Sequence, residues 1–234
     1  MATHLSRRDL KQDAFSARVQ GSVISLTQHK REVVRYGGIA LAVILVAAGV
    51  WYFRSAQTSV RQQSLGEAMT VYTGTIGGNP APGVPNYPTE AAKDDAVTKA
   101  FTKITKDYSG SSEAYIAEYY LAGKSSDAGK VDEARKQYQD VVDHANADES
   151  ALAKFALAQV DLSANHVADG QALLKDLMDH PSDLVSKNQA TLTYAKSIAA
   201  TNPDEARKLL TQVAAQGSDG AQQASAAMAE LPRK

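Results

Sequence analysis

Three observations predict an all-α protein, with one N-terminal transmembrane helix followed by a solenoid of helical hairpins. Residues 36–53, YGGIALAVILVAAGVWYF, form an uncharged run in an otherwise polar chain. From Thr89 onward apolar residues recur at helical spacing, and no stretch of strand length joins β-branched residues to alternation and turn signals. Turn-and-helix blocks with a small residue at one place also recur every thirty-six residues. Aromatic residues make up only 6% of the chain while alanine is abundant, which favours closely packed helices over a sandwich or barrel.

The first element is a basic tail, residues 1–35. Ser6 and Asp9 fit a capping box, and Leu10, Ala14, Phe15, Val19, Val23 and Leu26 follow at helical spacing. Two readings stand for it: an amphipathic helix on the inner leaflet, or a solvated tail whose charges set topology.

The second element is the apolar run. As a helix, eighteen residues span about 27 Å at about 1.5 Å each, close to the roughly 30 Å hydrocarbon core. Tyr36 at one end and Trp51, Tyr52 and Phe53 at the other make two aromatic belts that anchor it in the bilayer. A buried core helix of this length would need a polar face, and none is present. Seven Lys/Arg and three acids precede the run, whereas only Arg54 and Arg61 follow within the next twenty residues. The positive-inside rule then places the N-terminus in the cytosol and residues 54–234 across the membrane. A cleaved signal peptide is the rival reading, with Ala47-Ala48-Gly49 as the cleavage site. The long charged tail and the aromatic trio argue against it.

Residues 54–88 hold an exit helix, expected over 55–76, and then a loop. GGNPAPGVPNYP, residues 77–88, carries four of the chain's seven prolines, and no helix survives it. A stiff connector accounts for this loop better than a proline-rich ligand does.

Residues 89–234 form the repeat domain. Ala92, Ala96, Val97, Ala100, Phe101 and Ile104 line the first helix, and further helices are expected over 111–125, 131–145, 148–164, 167–180, 183–200, 203–216 and 219–231. The turn Gly129-Lys130-Val131-Asp132-Glu133-Ala134 is followed by Tyr138 and Val141. Thirty-six residues on, the block ending in Gly170 is followed by Leu174 and Leu177, and thirty-six further, that ending in Ala206 is followed by Leu210 and Val213. Ala122 and Ala158 lie twelve positions before Ala134 and Gly170, so small residues meet where paired helices cross. This is the tetratricopeptide arrangement in degenerate form. Its early helix-A aromatic is replaced by Glu118 and Lys154, and helix 183–200 fits with a one-residue slip.

The order of tail, span, exit helix, loop and repeats resembles the YfgM-like ancillary subunits of the bacterial SecYEG translocon. The residue-level likeness lies in GKVDEA (129–134), NPDEA (202–206) and YSGSSEAY (108–115). The resemblance implies a single-pass inner-membrane protein whose periplasmic domain contacts translocon subunits or chaperones. The proline-rich loop and the long tail depart from that pattern.

Charge and composition exclude several functions. The chain has no cysteine, so disulfides and thiolate metal sites are ruled out. Beyond the tail stand 18 of its 25 Lys/Arg and 23 of its 26 Asp/Glu, an acidic surface with little for nucleic acid. Gly123-Lys124-Ser125 lacks the earlier glycine and the strand of a phosphate loop. Asp140, Asp143, His144, Asp148 and Glu149 are metal-ligand types, but they gather at a helix end where charges are ordinarily solvated. No nucleophile–base pair is visible, so no catalytic residue, cofactor or metal is expected.

The expected binding surface is aromatic. Tyr115 and Tyr119 lie one turn apart on a helix A, Phe155 repeats Tyr119 in the next unit, and Gln159 stands one turn further on. These four residues could line a groove for an extended or helical peptide, and the competing reading makes the aromatics packing residues. The carboxylate clamp of some tetratricopeptide domains is absent, since its positions hold Tyr119, Gly123, Phe155 and Gln159. The expected function is therefore a membrane-tethered adaptor for other proteins. The alternative is a self-associating scaffold in envelope assembly or division.

Overall fold

The computed structural model describes residues 43–46, 57–78, 80, 82–216 and 220–231. The chain divides into two compact units, Met1–Ser59 and Val60–Lys234. In the first, residues 43–46 are helical, and Val43, Ile44, Leu45 and Val46 are each more than 60% exposed. The expected tail, most of the expected span and its anchors Tyr36, Trp51, Tyr52 and Phe53 lie outside the described residues. Among the described residues no helix is long and apolar enough to cross a membrane.

The second unit is built of consecutive helices, each packed on the next. Helix α1 (57–72, of which residues 60–72 fall in this unit) precedes α2 (Glu90–Asp107), α3 (Ser112–Asp127) and α4 (Val131–His144). Then come α5 (Ala147–Ser163), α6 (Val167–Asp179) and α7 (Lys187–Ile198). Helices α8 (Pro203–Ala215) and α9 (Ala221–Glu230) complete the described part. α3 also touches α5, and α7 touches α9, so alternate helices meet as a stack of hairpins requires.

Local sequence sets the ends. Thr89, Ser111, Asn146, Ser186 and Asn202 cap α2, α3, α5, α7 and α8, each accepting a backbone N–H from the first turn. After α3, Gly129 takes φ 71°, so that Lys130 N–H reaches the Ser125 carbonyl at 2.9 Å. Asn165, thirty-six residues later, takes φ 64°, and His166 N–H reaches the Asp161 carbonyl at 2.7 Å. Asparagine tolerates the left-handed region, so the same turn forms without glycine.

The core lies at the crossings. Ala122, Ala134, Ala158, Ala195 and Ala206 are fully buried, and so are the Leu174 and Leu210 side chains one turn beyond two of the crossing positions. Gly170 marks a close crossing: a Cβ there would lie 2.8 Å from the Ala158 carbonyl oxygen and 2.9 Å from Leu162 Cγ. The slip expected in the last repeat is visible as Ala195 standing eleven rather than twelve places before Ala206.

Two details differ from the expected pattern. The long loop carries a parallel pair of two-residue strands, β1 (Thr75–Ile76) and β2 (Asn86–Tyr87), so the fold is mostly, not purely, helical. Pro85 holds its own segment extended, and its carbonyl accepts the Thr75 N–H at 2.9 Å. Helix α7 begins at Lys187, not 183. Pro181 interrupts the chain, the Ser182 hydroxyl accepts the N–H groups of Leu184 and Val185, and Val185 is fully buried.

Candidate protein-binding groove

The described surface is pleated into several clefts, and one is walled mainly by apolar side chains. α3 contributes Tyr115, Ile116, Tyr119 and Tyr120, which helical spacing brings to one side of it. Asn146, Asp148, Glu149 and Leu152 come from the start of α5, and Leu184 from the loop before α7. Together with Val141 they enclose about 400 Å³. Leu184 is 52% exposed, an apolar side chain at the rim. Its loop is held by Asp183, whose N–H donates to Asp148 Oδ1 at 3.2 Å.

The floor is rigid. Tyr72, Phe101, Tyr120, Tyr119 and Tyr138 form an unbroken series of ring contacts from α1 to α4, with centroids 5.0 to 6.2 Å apart. Burial pushes the Tyr119, Tyr120 and Tyr138 phenols above the ordinary tyrosine value, Tyr138 most. These groups stay neutral at physiological pH.

Of the four residues expected to bind, Tyr115 and Tyr119 line this groove. Phe155 does not. It is half-buried where the core around Ala158 and Leu174 meets the cluster of Ala151, Leu177, Val185 and Ala190. Phe155 packs on the cluster that contains the fully buried Val185, whereas Tyr119 borders the groove. Gln159 is exposed and lies outside the groove lining. Ile116, Leu152 and Leu184 were not expected, although Leu152 repeats Ile116 at the thirty-six-residue interval.

The two consensus-aromatic positions that hold charge behave as a repeated pair. Lys154 on α5 bonds Asp176 on α6, and the lysine holds the Asp176 carboxyl below its ordinary value. Twenty-two residues likewise separate Glu118 on α3 from Asp140 on α4. Here burial, and then Asp140, push the Glu118 carboxyl up. His144 and His180 accompany Asp140 and Asp176 at 3.3 and 3.1 Å.

A second cleft of about 540 Å³ lies over Arg135, Leu157, Asp161 and Asp169. Its guanidinium is engaged within the fold. Nε donates to the buried Asp161 carboxylate at 2.5 Å and an Nη to Asp169 at 3.1 Å, so α4 clips α5 and α6 together. Among the described residues no group of three or more His, Asp or Glu could hold a metal.

A stack of helical hairpins with small residues at each crossing and an open apolar groove belongs to the α-solenoid class, whose members bind other proteins along such surfaces. The tetratricopeptide repeat-like domain model matches residues 34–180, more than half of the sequence, and the chain belongs to that family. The match begins just before the apolar run and ends at His180, leaving α7 to α9 beyond it. No curated protein and no solved structure matches the chain significantly.

Proposed function

We propose that the protein is a non-enzymatic interaction module of the bacterial inner membrane, N-terminus in the cytosol and solenoid in the periplasm. The observation that carries the interaction role is the groove between α3 and α5, lined by Tyr115, Ile116, Tyr119, Leu152 and Leu184 and backed by the ring contacts of Tyr119 with Tyr120 and Tyr138. The charge asymmetry around residues 36–53 supports the anchor and its orientation. The repeat family and the order of elements support the adaptor reading, in which translocon subunits, their chaperones or secretory proteins are bound. The mechanism is tethering: confinement to the membrane plane raises the effective concentration of the groove near its partners without any new contact.

Alkaline phosphatase fused after Lys234 tests the topology in intact cells. The proposal expects high phosphatase activity and retention of the fusion in carbonate-washed membranes. A fusion that is inactive, or released from the membrane, refutes it.

A further inference from the structure

We infer that the groove between α3 and α5 takes a stretch of partner polypeptide that carries large apolar side chains together with lysine or arginine. The inference rests on the proposed interaction role and adds the chemistry of the ligand. The cavity of about 400 Å³ has room for side chains of an incoming segment. Ile116 and Leu152 in the lining, with the half-exposed Leu184 at the rim, give apolar side chains a place.

Charge complementarity selects the remaining side chains. The lining includes the carboxylates of Asp148 and Glu149 and not one Lys, Arg or His. Glu149 Oε1 accepts the Ser112 hydroxyl, and Asp148 Oδ1 accepts the Asp183 N–H, so neither carboxylate is neutralised by a cation of the lining. An incoming ammonium or guanidinium supplies the opposite charge. Tyrosine faces add to the preference, because a cation is attracted to an aromatic ring. This chain already uses that contact, with Lys175 Nζ 5.2 Å from the Tyr194 ring centre. An acidic segment would meet two carboxylates with no compensating cation.

The test uses the full-length protein in discs of zwitterionic lipid, with empty discs as the blank, and fluorescence anisotropy of three labelled peptides. One alternates leucine with lysine between serine spacers, one replaces lysine by glutamate, and one replaces leucine by serine. The leucine–lysine peptide should bind at least tenfold tighter than either other peptide. Leu184→Ser, at the exposed rim, should weaken it severalfold with circular dichroism unchanged. Asp148→Asn combined with Glu149→Gln should bring the lysine and glutamate peptides within twofold of each other. Leucine-dependent binding that ignores charge, or favours glutamate, overturns the cationic ligand class and leaves the groove as a docking site. Binding indifferent to Leu184→Ser, or no binding, overturns the groove itself. A change of oligomeric state on Leu184→Ser assigns the groove to a second copy and also overturns the inference.

Discussion

Replacing Gly170 by alanine sets two effects of opposite sign against each other. In a helix interior alanine is better than glycine by about 1 kcal/mol, so Gly170→Ala should stabilise α6 considered alone. The added Cβ, however, would stand 2.8 Å from the Ala158 carbonyl oxygen and 2.9 Å from Leu162 Cγ. The first of these is backbone at the heart of α5 and cannot rotate away, so α5 and α6 must separate. Overpacking of this kind costs about 1–3 kcal/mol. The net expectation is destabilisation of up to about 2 kcal/mol. Gly66 provides the matched control: it is exposed in α1, and nothing lies within 4 Å of a Cβ placed there. Gly66→Ala should keep only the propensity term and stabilise by about 0.5–1 kcal/mol. Urea unfolding of both variants in micelles, followed by circular dichroism, reads the difference as midpoints on opposite sides of the wild type. If Gly170→Ala unfolds at the same or higher urea than Gly66→Ala, the close crossing is refuted, and with it the role assigned to small residues in the repeat.

Glu118→Gln should raise the midpoint at neutral pH, because burial and Asp140 disfavour the Glu118 carboxylate in the folded state. With its folded pKa raised, Glu118 contributes stability that is present below the unfolded value and lost as pH rises through the folded one. The advantage of the glutamine variant should therefore shrink on acidification, and a constant or growing advantage would contradict the reasoning. Arg135→Met should cost about 3 kcal/mol or more, since it leaves the Asp161 carboxylate, 1% exposed, without its cation. Adding Asp161→Asn should recover much of that loss, and a double variant as unstable as Arg135→Met would show that the pair is not coupled.

Much of the solenoid is legible in the sequence because a repeat states the same constraint several times. Ala134, Gly170 and Ala206 occupy one repeat position and all are buried at crossings. The start of α7 is hidden in the sequence because apolar periodicity continues through Leu184 and Val185, and only the Ser182 hydroxyl bonds mark the turn. The groove was half legible. Tyr115 and Tyr119 follow from spacing on one helix, but the fate of Phe155 depends on where Val185 turns inward, a long-range contact that periodicity does not encode. Leu152 could have been found by carrying Ile116 forward one repeat, whereas Leu184 joins the groove only through the loop's path. Asp161 carries its own signal in the sequence. A lone carboxylate amid LAQVDLS needs a partner, and Arg135 supplies it from the preceding hairpin.

On the proposed function, the groove between α3 and α5 grips partner polypeptide at the membrane. A photoactivatable phenylalanine analogue placed at Leu184 of the full-length chain in growing cells tests it directly, with Lys208, exposed on α8, as the comparison position. Irradiation should give an adduct containing a translocon subunit or periplasmic chaperone from position 184 and none from position 208. Equal adducts from both positions, or none from position 184, would contradict the claim.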